Sequence, residues 1–116
     1  MAKLNAGDVV ITINGEERVL KPTLRALTVI SSQYNGLAKA RELIVAQDFA
    51  AAVYVIRHGL NLNDREAKTL PDEIYANGLT FDLLAPLLRF VGILANGGKP
   101  MPDDPVDELA STEGNA

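Results

Sequence analysis

Residues 83–94 read LLAPLLRFVGIL, twelve positions with Arg89 as the only charge. A segment this apolar limits what the chain can become. Residues three and four apart share a helix face, so Leu83, Leu87, Phe90 and Leu94 form one apolar stripe. Leu84, Leu88, Val91 and Ala95 form a second, about 100° further round the helix. A helix apolar on two sides is either the central helix of a small domain or a core helix whose second face waits for a partner. On the docking reading, Leu84, Leu88 and Val91 are the candidate partner-binding residues and stay at least partly open in the isolated chain. A membrane span needs about 20 apolar residues, so this segment does not predict one.

The other 104 positions must supply neighbours for that helix, and at 116 residues there is room for one core only. Aromatic residues make up 5% of the chain and tryptophan is absent, so the core is aliphatic and alanine-rich, which suits close-packed helices. With no cysteine, disulfides, thiolate metal sites and cysteine nucleophiles are excluded. The start, MAKLNAGDVV, has no long apolar run and predicts no secretory signal. The chain reads as soluble and intracellular.

Charge is unevenly distributed. Residues 1–98 carry ten basic and ten acidic side chains, because Lys99 is the eleventh base and Asp103, Asp104, Asp107, Glu108 and Glu113 complete the fifteen acids. The net charge of -4 therefore sits in the segment from Lys99 onward. A neutral body with an acidic end offers no field for holding phosphate backbones, which argues against nucleic acid as a partner.

Taken in order, the chain predicts a hairpin first. Val9, Ile11 and Ile13 alternate with Val10, Thr12 and Asn14, and Asn14-Gly15 supplies a two-residue turn in which both positions tolerate positive φ. Arg18, Val19 and Leu20 form the return strand. A lone hairpin is marginal in water, so it covers a helical core or pairs through an edge with another chain, including a second copy. Thr23 is placed as N-cap of a helix running to about Tyr34, with Leu24, Leu27, Ile30 and Tyr34 inward and Gly36 as its left-handed cap. Residues 37–46 predict a second helix, with Leu37, Ala40, Leu43 and Ile44 inward. Asp48 caps a third, with Phe49, Ala52, Val53, Ile56 and Leu60 on one face and Gly59 near its end.

Residues 61–69 read as a loop with one turn at Asp64-Arg65-Glu66, and Leu70-Pro71-Asp72-Glu73 begins a short helix ended by Asn77-Gly78. Thr80 or Asp82 caps the last helix, Pro86 falls near its first turn, and Asn96-Gly97-Gly98 ends it. Residues 99–116, rich in proline and acid, predict a disordered tail. The expected architecture is α+β, mostly α: an N-terminal hairpin, then a compact bundle of four to five helices in a single domain over residues 1–98, then the acidic tail.

No catalytic constellation assembles from these residues. His58, the only histidine, lies beside Arg57 near a helix C-terminus, where a cation is favoured. A triad with Ser31 or Ser32 has nothing to mark either serine as a nucleophile. Glu16-Glu17 reads as the wet end of a hairpin and Asp72-Glu73 as a helix start. Asp103-Asp104 lacks calcium-loop spacing. Gly97-Gly98 follows a helix, the reverse of a phosphate loop. The reading is of a chain that is not an enzyme and takes no cofactor or metal.

The order of signals carries a resemblance. ITINGEERVLKPT leads into LRALTVISSQYNGLAKARELIVAQDFAAAVYVIRHGLN. The entry is marked by Leu20, Thr23, Leu24, Ala26 and Leu27, a break by Gly36-Leu37, and a later segment by Asp48, Phe49, Val55, Ile56, Gly59 and Leu60. Over residues 8–97 this resembles the small phage-tail proteins of the gene-transfer-agent type, described as tail assembly chaperones or, in older naming, tail tube proteins. The resemblance implies a non-enzymatic protein of the bacterial host cytoplasm that binds the tape measure protein, or another tail protein, while the tail tube polymerises. Two other classes stand beside it: a structural tail component retained in the particle, and a small protein-binding module unrelated to phage.

Overall fold

The computed structural model describes residues 4–100. Strand β1 (Val9–Ile13) and strand β2 (Glu16–Leu20) form an antiparallel hairpin. Helices α1 (Leu24–Tyr34), α2 (Leu37–Val45) and α3 (Phe49–Gly59) follow. A 3₁₀ turn (Glu66–Thr69) runs directly into α4 (Leu70–Asn77), and α5 (Phe81–Ala95) closes the described part. The architecture is α+β and mostly helical, as the periodicities predict. The acidic segment 101–116 lies outside the described residues.

The hairpin follows from its turn. Asn14 at φ 53° and Gly15 at φ 82° give a two-residue connection whose twist matches the strands. The register pairs Val9 with Leu20, Ile11 with Arg18 and Ile13 with Glu16. Val9, Ile11, Ile13 and Leu20 are buried, so one face of the sheet is core. Asp8 fixes the open end of the hairpin. Its side chain is 2% exposed, 2.6 Å from the Lys21 ammonium, and accepts from the Asn5 N–H at 2.8 Å.

The helix starts are set by side-chain caps. Thr23, Asp48 and Thr80 each accept a hydrogen bond from the backbone N–H three residues on, at Ala26, Ala51 and Leu83. Thr80, not Asp82, caps α5. Two local expectations for α1 are corrected. Asn35 (φ 57°), rather than Gly36, takes the left-handed position after the helix. Leu24 is 77% exposed, because α1 buries Ala26 and Ile30 and Leu24 lies about 160° from Ala26 at about 100° per residue. The turn expected at 64–66 is present and runs on into the 3₁₀ turn from Glu66. Asn63 and Glu66 exchange side-chain-to-backbone bonds at 3.0 and 2.8 Å and open the 3₁₀ turn.

Helix α5 is the centre of the fold. It packs against β1, α1, α2 and α3, and buries Leu83, Leu84, Leu87, Phe90, Val91, Ile93 and Leu94. Both apolar stripes are therefore used within the chain. The expectation of a second face at least partly open at Leu84, Leu88 and Val91 is corrected for two of the three: Leu84 is 8% and Val91 2% exposed, while Leu88 is half-buried and stays partly open. Strand β1 and helices α1, α2 and α3 all pack on α5, so a domain of this size has enough elements to enclose Leu84 and Val91 as well as the first stripe. After α5, Asn96 Nδ2 donates to the carbonyls of Lys99 and Pro100 at 3.2 and 3.1 Å, so these first two residues of the predicted tail are tied to the helix end.

Candidate functional site

With α5 enclosed, the open apolar surface lies elsewhere. Helix α3 reads FAAAVYVIRHG and is apolar nearly all round. It turns Ala51, Ala52, Val55, Ile56 and Gly59 into the core. The ridge Phe49–Val53–Arg57, at intervals of four, flanks that core face, with Ala50 and Tyr54 beside it; Val53 and Tyr54 are partly buried and pack against the core. Across from this ridge stand Ala67 of the 3₁₀ turn and Pro71 of α4. Together these side chains line an open groove of about 330 Å³. Ala50 and Ala67 make the space, because neither fills it beyond a methyl group. Phe49 is 37% exposed at one end.

Arg57 closes the other end as the groove's only charge. Its guanidinium pairs with Asp64, and its Nε donates to the Leu62 carbonyl at 3.4 Å. The loop after α3 therefore holds this arginine in place. Further large apolar side chains are exposed on α4 and α5. Tyr75, four residues beyond Pro71 on α4, is 80% exposed, and Phe81 at the start of α5 is 81% exposed. Gln47 donates to the Leu79 carbonyl at 3.3 Å, which brings the first turns of α3 and α5, and so Phe49 and Phe81, to the same end of the molecule.

Behind the groove runs an aromatic row. Tyr34 meets Tyr54 edge to face with centroids 5.7 Å apart, and Tyr54 lies 4.5 Å from the His58 ring, tilted by 56°. Burial, then the positive charges of Arg57 and Arg25, lower the His58 pKa from the ordinary histidine value. Burial, then Asp48 and Tyr54, raise that of Tyr34. Histidine at this position is thus biased toward its neutral form, as a packed ring rather than the helix-end cation expected from sequence.

The remaining candidates do not assemble. Among the described residues no hydrogen bond joins His58 to Ser31 or Ser32, and no group of three or more histidine or carboxylate side chains is placed to hold a metal ion. Glu16 and Glu17 are exposed at the hairpin end. Asp72 is exposed, while Glu73 is held by Arg18 and Thr69. Among the described residues no helix is long and apolar enough to cross a membrane. Of the two residues expected inward here, Val53 packs partly against the core and Phe49 is 37% exposed; the groove that both line is not visible in sequence. Its one sequence signal is the pair of small residues, Ala50 and Ala67, opposite larger apolar ones. No protein-family profile, curated protein or solved structure matches the chain.

Proposed function

We propose that this chain is a non-enzymatic protein-binding module, and that it acts as a tail assembly chaperone in the cytoplasm of a bacterial host, holding an apolar helical stretch of a tape measure protein until the tail tube encloses it. The observation that supports this reading most is the groove between α3 and α4. It is apolar, open, and backed by packed aromatic rings, the form in which one helix receives the i, i+4 side chains of another. Phe49 at the groove, and Tyr75 and Phe81 on α4 and α5, are exposed large apolar side chains, and apolar surface of this kind marks interaction sites. A long helical partner has a physical need for such a surface, because its own apolar stripe aggregates while unassembled. On this reading the binding residues are Phe49, Ala50 and Val53, in place of Leu84, Leu88 and Val91, of which Leu84 and Val91 are enclosed.

Ala50 is exposed at the groove, so Ala50→Arg fills it without disturbing the core. Co-expressed with a tape measure fragment, the native chain is expected to co-purify with it, and Ala50→Arg to lose the fragment while melting at the native temperature. Undiminished capture by Ala50→Arg removes the groove from the mechanism. Failure of the native chain to capture any tape measure fragment removes the chaperone reading itself. A retained structural component differs in one observable: it is found in purified particles, where a chaperone is not.

A further inference from the structure

Along an antiparallel hairpin, every second residue turns its N–H and C=O away from the partner strand. The two-residue Asn14-Gly15 turn makes Ile13 and Glu16 the first pair to exchange both hydrogen bonds, followed by Ile11 with Arg18 and Val9 with Leu20. Val10 and Thr12 on β1, and Glu17 and Val19 on β2, therefore aim their backbone groups outward.

The two edges are guarded differently. Strand β2 carries Glu16, Glu17 and Arg18, and just beyond it the outward Lys21 N–H is taken by the Gly59 carbonyl at 2.8 Å, which brings the end of α3 onto that edge. Strand β1 reads VVITI, with no charge and no proline. It pairs with β2 alone, and among the described residues no hydrogen bond reaches the outward groups of Val10 and Thr12. Thr12 is exposed. Natural sheets protect such an edge with charge, proline or a covering element; among the described residues α4 reaches this edge at its tip, where Asn77 takes the Asn14 N–H, and β1 itself carries neither charge nor proline.

We propose that the free edge of β1 pairs antiparallel with the same edge of a second copy, about a two-fold axis at Ile11, to give a continuous sheet in the order β2-β1-β1-β2. The register follows from which amides are free. Centred on Ile11, Val10 of each copy meets Thr12 of the other, and every outward group of these two residues finds a partner. A shift toward Val10 would require the Asp8 N–H, which already donates to the Asn5 carbonyl at 3.0 Å. A shift toward Thr12 would require the Asn14 N–H, which already donates to Asn77 Oδ1 at 2.9 Å. The Ile11-centred register alone uses only free groups. It brings no like charges together, and the buried face formed by Val9, Ile11 and Ile13 continues across the seam. A self-complementary edge of this kind is the pattern of a two-fold interface.

A seam this short gives a weak dimer, so mass is measured by sedimentation from micromolar to millimolar protein, where a reversible monomer–dimer transition is expected. The absence of cysteine permits a register test. Oxidising a mixture of Val10→Cys and Thr12→Cys chains is expected to give the cross-linked heterodimer, while each variant alone gives little, since its thiols sit two positions out of register. Thr12→Pro removes an outward N–H without breaking a bond to β2, and is expected to weaken the dimer at least about tenfold, which is about 1.4 kcal/mol. Thr12→Lys, at an exposed side chain, does the same by charge if the proline variant does not fold. Ala50→Arg, in the α3/α4 groove, is expected to leave the dimer unchanged, so this proposal stands or falls apart from the chaperone reading. A monomer throughout, a dimer indifferent to Thr12→Lys, or equal cross-linking in mixed and single-variant samples overturns it.

Discussion

Arg18 on the return strand and Glu73 on α4 are 55 residues apart in sequence and form a 2.8 Å ion pair. The contact belongs to a larger latch. Glu73 also accepts from the Thr69 hydroxyl at 2.9 Å, and its backbone carbonyl accepts from Asn14 Nδ2 at 3.1 Å. The Asn14 N–H donates to Asn77 Oδ1 at 2.9 Å. The hairpin tip is thus pinned to one short helix through both its turn and its return strand. A two-stranded sheet that is marginal alone gains from this a fixed position over α5.

The pair is partly exposed, with Arg18 and Glu73 side chains at 24% and 37%, so its worth is modest. Glu73→Gln is expected to cost about 1 kcal/mol, at the upper end for such pairs, because the Thr69 bond weakens with it. A double-mutant cycle with Arg18→Met should assign about half of the loss to the pair, and the coupling should shrink in high salt. A coupling near zero would mean that the backbone bonds of Asn14 hold the tip without the charges.

Two glycines make a contrast that a pair of melts can read. Gly15 has φ 82° and open space where a Cβ would stand, so Gly15→Val acts by backbone strain alone and should cost roughly 1 kcal/mol or more. Gly59 lies in ordinary helical backbone, but a Cβ there meets Leu20 Cδ2 at 2.7 Å and Phe90 Cε2 at 3.2 Å. Gly59→Ala should therefore destabilise by about 1–3 kcal/mol through overpacking, although alanine is the better helix former. A stabilised Gly59→Ala protein would show that Leu20 can move aside.

What the sequence disclosed was local. The turn at Asn14-Gly15 and the caps at Thr23, Asp48 and Thr80 depend on residues within three positions of one another; the first three are readable outright, and the last only as Thr80 or Asp82. The face of a helix was less so. In α1 the apolar residues Leu24, Ala26, Leu27 and Ile30 span more than one stripe, and only packing against α2 and α3 selects Ala26 and Ile30. Helix α3 is harder still, being apolar on every side, so nothing in FAAAVYVI says that Phe49 and Val53 face a groove. The enclosure of Leu84 and Val91 depends on the hairpin and three helices arriving from distant parts of the chain.

His58 gives a pH dependence with a definite sign. Burial, with help from Arg57 and Arg25, holds its folded-state pKa below the ordinary 6.5. The unfolded chain thus binds this proton more readily than the folded one, so stability rises with pH in that range. The contribution is fully present above the unfolded value and is lost as pH falls through 6.5 toward the folded pKa. The melting temperature should fall between about pH 7 and pH 5, and His58→Gln, which cannot titrate, should flatten that slope. An equal slope in the variant would place the titration in other groups.

Two positions on the second stripe of α5 can be told apart by charge. Leu84 is 8% exposed and Leu88 half-buried, four residues further along the same face. Leu84→Asp puts a carboxylate into the apolar core, where the group must ionise without water or fold protonated. Either route costs several kcal/mol, a large part of the 5–15 kcal/mol that holds a domain together, and the variant should be largely unfolded at room temperature. In Leu88→Asp the side chain starts from a half-buried position and reaches water by a rotamer change, so the loss is the apolar contact, about 1–2 kcal/mol, and the chain should stay folded. If α5 instead carried an open second face, both variants would fold and only partner capture would suffer. Circular-dichroism melts of the two proteins side by side decide the matter: an unfolded Leu84→Asp beside a folded Leu88→Asp is the expected result, and a folded Leu84→Asp with near-native stability would return the stripe to the surface.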